Sequence, residues 1–200
     1  MNDPRPHPGR PDPALAKRNR RMLLVLLLMF FGGMLVAGLL RFSGWRPEGM
    51  KNKGELLEPY GDLREYAPTL ADGSAYRWHD SPRTWRMVVL PRDCDGARAQ
   101  ACVELLQELD KVWQLMGRHA DRVHLLWAGA VPAGATLPRE VRVVVPDDAL
   151  RAGLSRWDVD RAGGEPAWLV DPNGFVFMRY APGFDPGDLR TDLSRMLKIN

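Results

Sequence analysis

Only two cysteines occur in the chain, Cys94 and Cys102, and they lie eight positions apart. In an oxidising compartment, two cysteines this close are candidates for a disulfide or a redox pair. The thiolate is the reactive form, and a helix N-terminus or a neighbouring cation lowers the pKa at which it appears. Arg92 and Arg98 favour the thiolate here, while Asp93 and Asp95 oppose it. Cys94 is the better functional candidate. Cys102 falls on an apolar helical stripe and can equally serve as a small buried hydrophobe. His119 and His124 have no third ligand in sequence reach and read as solvent-exposed, and His79 reads as structural. No nucleophile elbow, phosphate loop or paired-histidine zinc signature is present.

The elements that must position the cysteines follow from periodicity. Trp85 to Leu90 (WRMVVL) is a short apolar run ended by Pro91, as expected of a buried strand. From Ala97 to Gly117 the apolar residues Cys102, Leu105, Leu106, Leu109, Val112, Trp113 and Met116 recur at helical spacing. The cysteines therefore sit where a strand hands over to a long helix. Val123 to Trp127 and Val141 to Val145 read as further strands, and Asp147 caps a short helix running to about Trp157. Ala167 to Val170 and Phe175 to Tyr180 flank the turn Asp171-Pro172-Asn173-Gly174, a hairpin signal. A last helix covers Pro186 to Ile199, and Asp72-Gly73 marks an earlier hairpin over 69–78. Strands alternating with helices imply a mixed sheet with helices on its faces.

Upstream, Met22 to Leu40 is an uncharged run long enough to cross the ~30 Å hydrocarbon layer as one helix. Lys17, Arg18, Arg20 and Arg21 precede it, so the positive-inside rule puts the N-terminus in the cytoplasm. Gly33 and Ala37 are small residues one turn apart, a pattern compatible with helix pairing. The net charge of +3 comes from this basic tail and leaves the rest slightly acidic, which excludes a nucleic-acid footprint. The expected organisation is a disordered basic tail (1–21), a transmembrane helix (22–40), a linker and irregular lead-in (41–68) and one folded domain (69–200). The lipid bilayer is the partner of residues 22–40.

The segment ADG before the central strand, the cysteines after it and the run GGEPAWLVDPNGFVFMRYAPG resemble the thioredoxin superfamily. The likeness is to membrane-anchored SCO-like and TlpA-like proteins. It implies an α/β fold, a thioredoxin-like mixed sheet with flanking helices, preceded here by one transmembrane helix. It further implies a bacterial inner-membrane protein with a periplasmic domain, and a thiol-disulfide or assembly role for a respiratory complex such as cytochrome c oxidase. Pro166 matches the cis-proline that faces the cysteines in such folds, so Cys94, Cys102 and Pro166 form the implied catalytic set. The cysteine spacing departs from the family's C-x-x-C or C-x-x-x-C. Eight helical steps span ~12 Å, beyond the ~7 Å Cα limit for a disulfide, so residues 94–101 must be largely non-helical for the pair to close. The copper histidine of SCO-like proteins is absent before Pro166, so no metal and no cofactor are expected. The competing reading is a non-catalytic interaction module of the same fold with degenerate cysteines.

Overall fold

The computed structural model describes residues 13–43, 51–78, 83–159 and 162–199. It divides into two units, Met1–Met50 and Lys51–Asn200. Among its described residues the first unit contains one helix, α1 (Pro13–Phe42). Its 30 residues correspond to a rod of ~45 Å, more than the hydrocarbon layer requires. The apolar run is thus part of a longer helix. Residues 13–21, expected to be disordered with the rest of the tail, are helical, because a continuous rod carries the basic cluster as its first turns. The helix is long and apolar enough to cross a membrane.

The second unit is built on a six-stranded sheet. Its elements are β1 (Glu55–Asp62), β2 (Trp85–Val89), α2 (Ala99–Gln114), β3 (Val123–Ala128), β4 (Val141–Val144), α3 (Asp148–Gly153), β5 (Ala167–Val170), β6 (Phe175–Tyr180) and α4 (Pro186–Ile199). The strand order is β1-β6-β5-β2-β3-β4. β2 runs parallel to β3, and β3 to β4, while β5 is antiparallel to β2 and β6, and β1 to β6. The hydrophobic pattern of β2 explains its central place. Every residue of this strand is buried. Met87 and Val89 join a core with Leu106, Leu109, Leu189 and Leu193 from α2 and α4. Val88 and Leu90 point the other way, into a core with Leu57, Leu63, Trp78, Leu150, Leu154 and Trp168. Both faces of the sheet are covered, as apolar parallel strands demand.

The lead-in departs from expectation. Residues 55–62 form edge strand β1 rather than irregular chain, with a register shift between Leu56 and Gly61. The first residues of the unit are held by α4: the buried Asp192 accepts from the N–H groups of Lys53 (2.7 Å) and Gly54 (2.9 Å) and from the Tyr180 hydroxyl (2.9 Å). Arg195 donates to the Lys51 carbonyl. The Asp72-Gly73 turn closes with an antiparallel bridge between Thr69 and Ala75. At the β5-β6 hairpin the Asp171 carboxylate accepts from the N–H groups of Asn173 (2.9 Å) and Phe175 (2.8 Å). Asp147 caps α3 by accepting from Leu150 N–H at 2.8 Å. That helix ends at Gly153, short of Trp157, where Leu154 leaves helical geometry (φ −90°, ψ 90°).

Candidate functional site

β2 ends before Leu90-Pro91, and the next three residues carry the chain around the top of the sheet to Cys94. Cys94 and Cys102 form a disulfide, with Cα atoms 5.7 Å apart and sulfurs at 2.07 Å. The bond closes because the helix starts later than its apolar stripe suggests. α2 begins at Ala99, not Ala97, and is preceded by a single 3-10 turn over Gly96–Arg98. Gly96 has φ +48°, a left-handed conformation that glycine adopts without a Cβ penalty. The condition set by spacing, a largely non-helical run from 94, is thus met by one turn. Neither sulfur lies bare at the surface. Cys94 is 7% exposed and Cys102 1%.

Two hollows flank the bond. One, of about 210 Å³, is bounded by Arg92, Asp93 and Cys94 on one side and by Gly129, Arg151 and Trp157 on the other. In it the Arg151 guanidinium stands 5.7 Å from the Trp157 ring and pairs with Asp148 at 3.0 Å. The second, of about 250 Å³, adjoins Cys102 and is bordered by Arg98, Glu104, Glu108, Glu165 and Phe184. Glu165 bridges the ends of the cysteine loop. Its side chain, 4% exposed, takes an ion pair from Arg98 at 2.5 Å and the Arg92 N–H at 3.3 Å. A buried carboxylate is stable when charge-paired and hydrogen-bonded in this way. No motif in the sequence singles out Glu165 for this bridge. The available signal was an acidic residue between two glycines and a buried strand.

Pro166 is buried and directly precedes β5. Ala167 pairs with Val89, which places Pro166 at the same end of the sheet as the cysteine loop. The expected cis bond is not found. Pro166 is trans, and Glu58-Pro59 is the cis bond among the described residues. The trans isomer is the favoured one by ~0.5–1 kcal/mol. Gly163 and Gly164, the latter at φ +132°, already supply the turn into β5.

The histidines stand elsewhere. His124, expected to be exposed, is half-buried on β3, with Nδ1 2.7 Å from the Tyr76 hydroxyl. Burial first, then the charges of Arg142 and Arg86, lower its pKa to about 4. His119 is also half-buried, and its Nε2 accepts from Arg118 at 3.2 Å. His79 lies outside the described residues. The arrangement does not fit the copper of SCO-like proteins. Both sulfurs are committed to each other, and the residue before Pro166 is a hard oxygen donor already paired with Arg98.

Residues 85–200 match the family described as transmembrane-like, thioredoxin-like, C-terminal domain. No curated protein matches the chain. Among solved structures, copper-bound ScoI of Bradyrhizobium japonicum is 16% identical, with a TM-score of 0.43, covering 71% of this chain and 98% of its own. BsSco, a Sco-family cytochrome c oxidase assembly protein with a disulfide switch, is 11% identical (TM-score 0.48; 68% and 92%). Peroxiredoxin Q of Xanthomonas campestris is 15% identical (TM-score 0.43; 74% and 97%).

Proposed function

The chain belongs to the transmembrane-like, thioredoxin-like C-terminal domain family, and from that premise we propose that it is a membrane-tethered, extracytoplasmic thiol-disulfide or assembly factor serving a respiratory complex such as cytochrome c oxidase. One observation carries the reading: a disulfide at the junction of the central strand and the first helix of the sheet domain, with a hollow on each side.

A partner thiolate attacks Cys94, the more open sulfur, forming a mixed disulfide as the Cys94–Cys102 bond breaks. Cys102 departs as the thiolate. It lies one turn into α2, where the helix dipole stabilises negative charge. A second partner thiolate then attacks the mixed disulfide and releases Cys94. The partner loses two electrons and two protons and gains a disulfide, and this protein becomes the dithiol. Pro166, at the same end of the sheet, borders the partner's path to the cysteines. The basic cluster before the anchor supports a cytoplasmic N-terminus, hence an inner-membrane protein with its domain in the periplasm.

Trapping tests the reading. Full-length Cys102→Ser leaves Cys94 a lone thiol, and in the exchange run in reverse its thiolate attacks the disulfide of an oxidised partner, one partner sulfur leaving as the thiolate. With no resolving thiol the mixed disulfide persists, so a covalent adduct with a disulfide-bearing membrane protein is expected, lost on reduction and absent in Cys94→Ser. If no adduct forms, the exchange role is refuted. The second reading, a non-catalytic interaction module, is favoured by the near-complete burial of both sulfurs. It expects the double serine variant to keep its partner.

A further inference from the structure

Three features of the cysteine loop are not used by the exchange chemistry. Gly96 is left-handed although a Cβ there would meet nothing within 4 Å, so its conformation, and not lack of space, calls for glycine. Asp95 has the extended backbone of a helix N-cap (φ −111°, ψ 174°), yet its side chain makes no cap hydrogen bond. Arg98, at the boundary of α2, is drawn aside to Glu165, which also holds the Arg92 N–H.

We infer that Gly96 and Glu165 are positioning residues for the disulfide: the left-handed turn at Gly96 and the Glu165 bridge hold residues 95–98 out of α2, so that Cys94 reaches Cys102. The inference rests on the proposed exchange for its use, though not for its test. Once the bond is reduced, nothing covalent opposes the helix. Gly96 turns right-handed, Asp95 caps, and α2 gains about one turn at its N-terminus. The Cα atoms of the cysteines then separate beyond the ~7 Å bridging limit. Closing the bond unwinds that turn, and opening it rewinds it.

The test equilibrates the full chain in detergent with mixtures of reduced and oxidised dithiothreitol and counts free cysteines by alkylation. Each protein disulfide reduced converts one dithiothreitol dithiol to its ring disulfide, passing two electrons and two protons to Cys94 and Cys102. A non-glycine residue in the left-handed region costs roughly 1–2 kcal/mol. Gly96→Ala should therefore shift the equilibrium about tenfold toward the dithiol, equivalent to about 1.4 kcal/mol. Gly96→Asn, a residue that tolerates this region, should shift it less. Glu165→Gln should shift it in the same direction as Gly96→Ala. Thermal unfolding supplies the control: Gly96→Ala should lower the midpoint of the oxidised protein and leave that of the dithiol form unchanged or higher. An unshifted Gly96→Ala, equal destabilisation of both forms, or an asparagine variant as shifted as alanine overturns the inference. Failure of the trapping experiment removes the exchange function while leaving this equilibrium to be read on its own.

Discussion

At the scale of single residues, one buried and one half-buried group titrate in opposite senses. Burial, with a hydrogen bond to Asp110, pushes the Glu140 carboxyl up to about 7. Because that value lies above the unfolded one of 4.5, the contribution is fully present below 4.5 and is lost as pH rises through 7. His124 is the reverse: depressed to about 4 from 6.5, it contributes above 6.5 and loses that contribution as pH falls through 4. Between pH 4.5 and 6.5 the two slopes oppose each other. Urea unfolding in that window should be nearly flat in the wild type. Glu140→Gln removes a penalty and unmasks stability that rises with pH, whereas His124→Gln unmasks a fall. Parallel profiles for both variants would sink the assignment. The cysteines were legible as a candidate pair because their type and spacing are written in the sequence. The left-handed turn that joins them and the trans bond at Pro166 were not. A glycine permits either hand, and an X-Pro bond differs by less than ~1 kcal/mol between isomers.

At the scale of elements, the strands at the centre of the sheet were legible to within a residue or two, because a strand buried on both faces is a continuous apolar run. The hairpin strands Ala167–Val170 and Phe175–Tyr180 and the last helix fall where expected. β1 was not legible. It is an edge strand whose sequence ELLEPYGD carries proline, glycine and three acids, and only Leu57 and Gly61 are buried along it. A proline is tolerated there because an outer edge has no ladder bond to lose. Its place in the fold has an energetic signature. Leu57 is 3% exposed and packs with Leu150, Trp168 and Val176, so Leu57→Ala should cost about 2–4 kcal/mol in chemical denaturation. A cost below about 0.5 kcal/mol, the level of an ordinary surface change, would return residues 55–62 to the status of a linker. α2 began two residues late for a related reason: Ala97 and Arg98 suit a helix, and tertiary closure of the loop overrides that preference.

At the scale of the whole molecule, one apolar helix and one thioredoxin-like domain share a chain, and the connection between them reaches the domain at Lys51. Any load transmitted along the chain from an anchored helix arrives first at the contacts of Lys51, Lys53 and Gly54 with Arg195 and Asp192. Behind them stands Glu55, paired with Arg179 at 3.2 Å and with Arg156. These bonds act as a strain relief. Tension arriving at Lys51 should load these bonds before it can peel β1 from β6. Asp192→Asn removes the negative charge that assists those hydrogen bonds and should cost about 1–3 kcal/mol at equilibrium. In an optical trap pulling on the two ends of the chain, the same variant should release β1 at a distinctly lower force while the remainder of the sheet yields as before. An unchanged first rupture would mean that the pull is borne by the β1-β6 ladder itself. With the grip intact, tugging on the membrane side should leave the cysteine loop, which follows β2 three strands in from β1, mechanically quiet.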